Sequence, residues 1–155
     1  MSRAFVKEVD DAPEPPLQDR PVSAAPNLVT RRGAELILGE IDGLSRRMEM
    51  LEGKEAELAG RDLRYWQARR ATMRLVERDG DPDAVGFGTQ VVLKRAGRTQ
   101  TIRIVGEDEA DPAQGYLAYT APLARAIEAA EPGETVEFAA GGRVDLIEIV
   151  SVTSI

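Results

Sequence analysis

The sequence predicts an α+β protein, with an N-terminal antiparallel helical hairpin followed by an antiparallel β-sheet domain carrying one helix. Three observations support this. Apolar residues recur at helical spacing from about residue 33 to residue 74. The period then changes to alternation after the turn-rich stretch "ERDGDPDAVGFG". One further helical stretch interrupts the alternating half. The expected division of the 155 residues is a flexible arm over 1–27, the hairpin over 28–78 and the β domain over 79–155.

Taken in order, residues 1–27 are rich in proline and show no sustained apolar period, which is the pattern of a mobile arm. The opening "MSRAFVKEVDDAPEPP" has acids where a signal peptide would have its apolar stretch. No run approaches the ~18 apolar residues of a membrane span, so cytoplasmic residence is expected. Thr30 is a candidate N-cap for the first helix. Ile37, Ile41, Leu44, Met48 and Leu51 follow at alternating spacings of four and three, the seam of a helix packed along a partner. Past Leu51 the seam fits only in a shifted phase, through Ala56, Ala59, Leu63, Trp66, Arg70 and Met73. The break falls at Gly53, where a helix can end on a left-handed residue. This gives helices over about 33–52 and 55–74. A turn at Gly60 would leave them very unequal, and a single bent helix is the other alternative.

"TQVVLKRAGRTQTIRIVG" reads as two strands joined at Ala96–Gly97, and "GYLAYT" as a third. Thr120 is placed to cap "APLARAIEAA", with Pro122 tolerated in the first turn. "GETVEFAAGGRVDLIEIVSV" reads as a closing hairpin turned at Gly141–Gly142.

Composition narrows the function. The chain has no Cys and no His, which removes disulfides, Cys/His zinc sites, Ser-His-Asp and Cys-His triads and any imidazole proton shuttle. The net charge of −7 is uneven: −2 over residues 1–29, +2 over 30–78 and −7 over 79–155. An acidic C-terminal half disfavours direct duplex DNA binding, so any contact with DNA would be indirect. The stretch "VGEDEADPAQG" gathers Glu107, Asp108, Glu109 and Asp111. It reads as a strand-ending turn in water or as part of a docking surface. A metal site would need further acids from elsewhere.

A helical pair followed by "VGFGTQVVL", "RIVGEDEAD", "YTAPLARAI", "PGETVEF" and "GGRVDLIEIVSV" resembles the GreA/GreB family of bacterial transcription elongation factors from about residue 27 to residue 152. "SRAFVKE" and "NLVT" lean toward the GreB side. The resemblance implies an FKBP-like C-terminal domain that docks on the rim of the secondary channel of RNA polymerase. It also implies a coiled-coil hairpin that enters the channel. Two acids at the hairpin tip would then help hold the polymerase's second magnesium ion and promote cleavage of backtracked RNA. The polymerase supplies the catalytic centre, so the factor is not an enzyme alone and has no catalytic residue, metal or cofactor of its own. The partners implied are the polymerase core and, through the hairpin, the RNA 3′ end. No membrane and no small-molecule substrate are expected, and the chain is expected to be a monomer. By resemblance, Glu107, Asp108, Glu109, Asp111, Pro122 and Arg125 lie in the docking region. Ala121 stands where the family usually has Ser.

The tip departs from the family. The usual Gly-Asp-Leu, polar residue, Glu-Asn-Ala segment is absent; the nearest match is "GKEAE", residues 53–57, with Lys54 in place of the Asp. Glu52, Glu55 and Glu57 are the candidate tip acids. The hairpin is also roughly twenty residues shorter than usual, a loss of reach on the order of 15 Å at the helical rise per residue. A Gre-like factor with weak or absent cleavage stimulation is therefore expected, or a non-cleaving occupant of the channel that competes with longer factors. Arg61, Arg64, Arg69 and Arg74 form the candidate basic face of the second helix, either solvated or turned toward polymerase and RNA. Arg70, on the seam, is a candidate for a salt bridge across the helices or to the second domain. Trp66 reads as core. The rival from another class is a peptidyl-prolyl isomerase, which needs an aromatic-lined pocket. Phe87, Tyr116, Tyr119 and Phe138 suffice for a small core without sparing one.

Overall fold

Thr30 begins the first helix as its position predicts. In the structure, a computed structural model that describes residues 13–155, its backbone is extended and its hydroxyl accepts from the Gly33 N–H at 3.1 Å. Helix α1 spans Arg31–Met48 and helix α2 spans Gly53–Thr72. Gly53, with φ +57°, opens α2 in the left-handed conformation that glycine adopts without steric cost. Both helices begin and end slightly earlier than the spacing suggests. Ile37, Leu44 and Ala59 are buried between them, and Ile41, Met48, Leu51, Leu63 and Trp66 are half-buried.

At its base the hairpin is closed by a parallel pair, β1 (Leu28–Val29) and β2 (Arg74–Leu75). The Arg74 N–H donates to the Asn27 carbonyl at 2.8 Å and the Val76 N–H to that of Val29 at 2.9 Å. Two-residue strands carry no period, so nothing in the sequence announced them. The expected arm falls in two parts. Residues 1–12 lie outside the described residues. Residues 13–27 form neither helix nor strand and run along α2, where Lys54 pairs with Glu14 at 3.0 Å and Arg64 with Asp19 at 2.6 Å. The Arg20 guanidinium lies 3.9 Å from the centroid of the Tyr65 ring.

The C-terminal half is a five-stranded sheet in the order β5-β4-β3-β7-β6, built from β3 (Thr89–Arg95), β4 (Arg98–Val105), β5 (Tyr116–Ala118), β6 (Thr135–Ala140) and β7 (Arg143–Ser154). Both expected hairpins form, turning at Ala96–Gly97 and Gly141–Gly142, all four residues with positive φ. The sheet is mixed, not purely antiparallel, because β5 lies parallel to β4. The loop carrying the acid cluster runs back along the sheet before β5 begins, so the chain re-enters in the same direction.

Helix α3 is short, Pro122–Ala126, and its N-cap is Ala121, not Thr120. The Thr120 hydroxyl instead donates to Glu107 Oε1 at 3.1 Å. The helical pattern ran on to residue 130, but Val85 takes that segment out of the helix. It exchanges backbone hydrogen bonds with Ala129 and Ala130, both 2.9 Å, and Ala129 has φ +63°. Ala124, Ile127 and Ala130 pack on Val91, Leu93, Ile102, Ile104, Ile147 and Ile149, which form the core of this half.

Candidate functional site

The acid cluster is the junction between hairpin and sheet. Val105 ends β4, and Gly106 passes close enough to β1 that a Cβ on it would lie 2.4 Å from the Leu28 carbonyl oxygen. A 3-10 turn, Glu107–Glu109, then presents three carboxylates to the hairpin base. Asp108 accepts from the Tyr65 hydroxyl and from Arg69 Nε. The Arg69 side chain is fully enclosed; its second terminal nitrogen donates to Asn27 Oδ1 at 2.7 Å, while Asn27 Nδ2 donates back to the Arg69 carbonyl at 2.7 Å. Glu109, 4% exposed, accepts from the Thr30 hydroxyl at 2.6 Å and from Arg32 at 3.0 Å. Gly33 leaves room for this carboxylate, since a Cβ there would meet Glu109 Oε2 at 2.7 Å.

Glu107 completes the junction. Its Oε1 accepts from Ser23 and Thr120, both at 3.1 Å. Its Oε2 is buried without a hydrogen-bond partner, 3.8 Å from the Arg69 guanidinium. The Tyr119 hydroxyl donates to the Pro26 carbonyl at 2.6 Å, tying the arm to the same place. Two phenols feel the enclosure. Burial first, then the hydrogen bond to Asp108 and its negative charge, pushes Tyr65 from 10.0 up to about 12. Tyr119 is raised for the same first reason and by Glu107.

The expected site residues therefore separate. Asp108 and Glu109 face inward and are spent on Arg69, Tyr65, Thr30 and Arg32, so they offer no free charge for docking. Arg69, expected on the basic face, is buried, whereas Arg70, expected on the seam, is exposed. Of the remaining docking candidates, Pro122 and Arg125 are exposed on α3 and Asp111 is half-buried at a bridge to Tyr116. Arg61 pairs with Asp62 at 2.9 Å, Arg64 with Asp19, and Arg74 is exposed. At the tip Glu52, Glu55 and Glu57 all face solvent beside Met50, which is 86% exposed. Among the described residues no group of three or more carboxylates converges as a metal site. Asn27 and Thr30 are junction residues that sequence reasoning did not assign to the β domain. Thr30 was legible as the α1 cap but not as a partner of Glu109, and Asn27 carried no local signal beyond its polarity.

Among the described residues no helix is long and apolar enough to cross a membrane. Residues 80–154 match the family description "Transcription elongation factor, GreA/GreB, C-term". Transcription elongation factor GreA of Verminephrobacter eiseniae is 33% identical over 119 residues, 74% of this chain and 70% of that protein. Transcription elongation factor GreB of Xanthomonas axonopodis pv. citri is 33% identical over 132 residues, 69% of this chain and 79% of that protein. Among solved structures, GreA factor homolog 1 of Thermus thermophilus is 12% identical with a TM-score of 0.41, over 84% of this chain and 100% of that one. The aligned relatives reach across both the hairpin and the sheet, and the chain belongs to the GreA/GreB family of transcription elongation factors.

Proposed function

We propose that this protein binds the core of bacterial RNA polymerase at the secondary channel and modulates elongation or the rescue of backtracked complexes, with little or no stimulation of transcript cleavage. The observation that carries the reading is the tip. Helices of 18 and 20 residues give a prong of only about 30 Å at the helical rise per residue. Its end carries Gly53, Lys54 and Glu55 where the family pattern has an Asp-bearing segment. Magnesium needs its ligands near 2 Å in octahedral geometry, so a short tip with a lysine in place of the acid delivers no ligand.

The protein then acts without catalytic residue, metal or cofactor of its own, as a cytoplasmic monomer whose hairpin faces the channel and the RNA 3′ end. Against isomerase activity, Tyr119 and Phe138 pack on the core, Phe87 meets Tyr119 edge-on and two guanidiniums cover Tyr116, so none of these four rings is spare for a proline. A transcript-cleavage assay on stalled complexes tests the reading. Co-migration with core polymerase and slow shortening of backtracked RNA are expected, and brisk shortening at substoichiometric factor would refute it. The exposed Met50 and Lys54 at the tip favour a second form of the same reading, a non-cleaving occupant. In that case the protein suppresses cleavage by a longer GreA/GreB factor added to the same complexes.

A further inference from the structure

A cavity of about 520 Å³ opens where the start of α1 meets β4 and β5, and its walls gather four guanidinium groups: Arg31, Arg32, Arg78 and Arg103. Against Glu35, Glu77 and Glu109 in the same wall they leave a small local excess of positive side-chain charge in a chain of net charge −7. Two of the four are already neutralised. Arg31 pairs with Glu77, and Arg32 pairs with Glu109, which also holds Thr30. The other two are not. Arg78 is fixed by Nε donating to the Phe87 carbonyl at 2.7 Å, which leaves its terminal nitrogens without an acceptor among the described residues. Arg103, half-buried, makes no ion pair and no side-chain hydrogen bond there. The one uncommitted side-chain carboxylate in the wall, Glu35, is exposed to water, and Ile155 also lines the wall.

The Tyr116 ring helps to gather this charge. The Arg32 guanidinium lies 4.1 Å and that of Arg103 5.3 Å from its centroid. Cations held this close repel one another, and an anion between them removes that penalty. A guanidinium presents paired N–H donors that match phosphate oxygens two at a time. With Tyr116 already engaged by two guanidiniums, a nucleobase finds no free ring in this wall, so recognition falls to charge and oxygen geometry.

We propose that this cleft binds a small polyphosphate anion, either pyrophosphate or the diphosphate end of a nucleotide, through Arg78 and Arg103. Arg78 follows β2 at the hairpin base and Arg103 stands on β4, so the bound anion joins the base of the hairpin to the sheet. It is a ligand and not a substrate, and its binding does not depend on the polymerase reading.

Calorimetric titration of the full chain with pyrophosphate at low salt tests the site. One saturable event is expected, with a raised unfolding midpoint in the presence of the anion. Arg103→Gln and Arg78→Gln should each weaken binding about tenfold, the loss of one charge-assisted contact. Arg143→Gln, at the β6–β7 turn and outside the cavity, should leave affinity unchanged. A parallel titration with ADP separates the sources: binding as tight as pyrophosphate assigns the nucleotide, and binding of pyrophosphate alone assigns the inorganic anion. No saturable heat with either probe, or an equal loss in Arg143→Gln, overturns the proposal. Because Arg103→Gln also loosens Tyr116, the Arg78→Gln result and melting curves of the free variants keep a folding defect distinct from lost binding.

Discussion

Arg69 has a buried charge, and everything around it is arranged to make that charge tolerable. Asp108, Asn27 and the more distant Glu107 surround it, while Tyr65 occupies the other oxygen of Asp108. Taking two charges out of water costs nearly as much as their attraction returns, so the intact pair adds little net stability. Removing one partner is different, because the survivor stays buried and uncompensated. Asp108→Ala should therefore lower the stability of the hairpin by about 3–5 kcal/mol, read from chemical denaturation followed by Trp66 fluorescence. The exposed Lys94–Glu148 pair at 3.9 Å is the control; its removal should cost about 0–1 kcal/mol. Tyr65 gives a second expectation. Its folded pKa is raised above the unfolded value, so its contribution is complete below about pH 10 and is lost as pH rises toward about 12. Alkaline titration of tyrosinate absorbance should show a late phase that disappears in Tyr65→Phe, with Tyr119 also displaced upward. An ordinary midpoint for the phenol that Tyr65→Phe removes would contradict the buried hydrogen bond. This part of the site was only half legible. The sequence offered Arg70 for a salt bridge across the helices or to the second domain, since the seam points at the partner helix. At the base the helix faces the β domain instead, a direction that periodicity along one helix does not encode.

The elements were more legible than the joints between them. The α1 cap at Thr30, the break at Gly53 and the turns at Ala96–Gly97 and Gly141–Gly142 all follow from local chemistry, and all stand where the sequence put them. The parallel β1–β2 pair, the parallel entry of β5 and the early end of α3 depend on residues far away in sequence, and no local pattern marked them. Two glycine and alanine positions test the distinction. Ala96 sits at φ 49°, a conformation costing a residue with a Cβ roughly 1 kcal/mol. Ala96→Asn should thus raise the melting temperature modestly, with no change in the sheet's spectrum, since Asn tolerates this region better. Gly106 has a long-range reason. An added Cβ would stand 2.4 Å from the Leu28 carbonyl, and backbone on both sides cannot yield cheaply. Gly106→Ala should destabilise by about 1–3 kcal/mol, as overpacking does. Hydrogen exchange should locate the damage at residues 28–29 and 74–75; unchanged protection there would place the strain elsewhere.

The two halves of the molecule differ in what holds them. The sheet and α3 share a continuous apolar core, whereas the hairpin buries only Ile37, Leu44 and Ala59 fully between its helices. Helices of this length are marginal alone in water, so most of the hairpin's order must come from its attachment. That attachment is the Glu107–Glu109 turn gripping Arg69, Tyr65, Thr30 and Arg32. The proposed entry into a channel requires the prong to point in a fixed direction, and this junction sets the direction of the hairpin. The consequence is a cooperative molecule. Trp66, the single tryptophan, reports on the hairpin, and far-ultraviolet ellipticity in the strand region reports on the sheet. In the native protein both signals should change at one denaturant concentration. In Asp108→Ala the Trp66 transition should move to lower denaturant while the sheet transition stays near its original midpoint. The same variant keeps every tip residue, so loss of its competition with a longer GreA/GreB factor would be due to a prong no longer aimed. Two separate transitions already present in the native protein would mean that the junction does not couple the halves, and the direction of the hairpin would then need another cause.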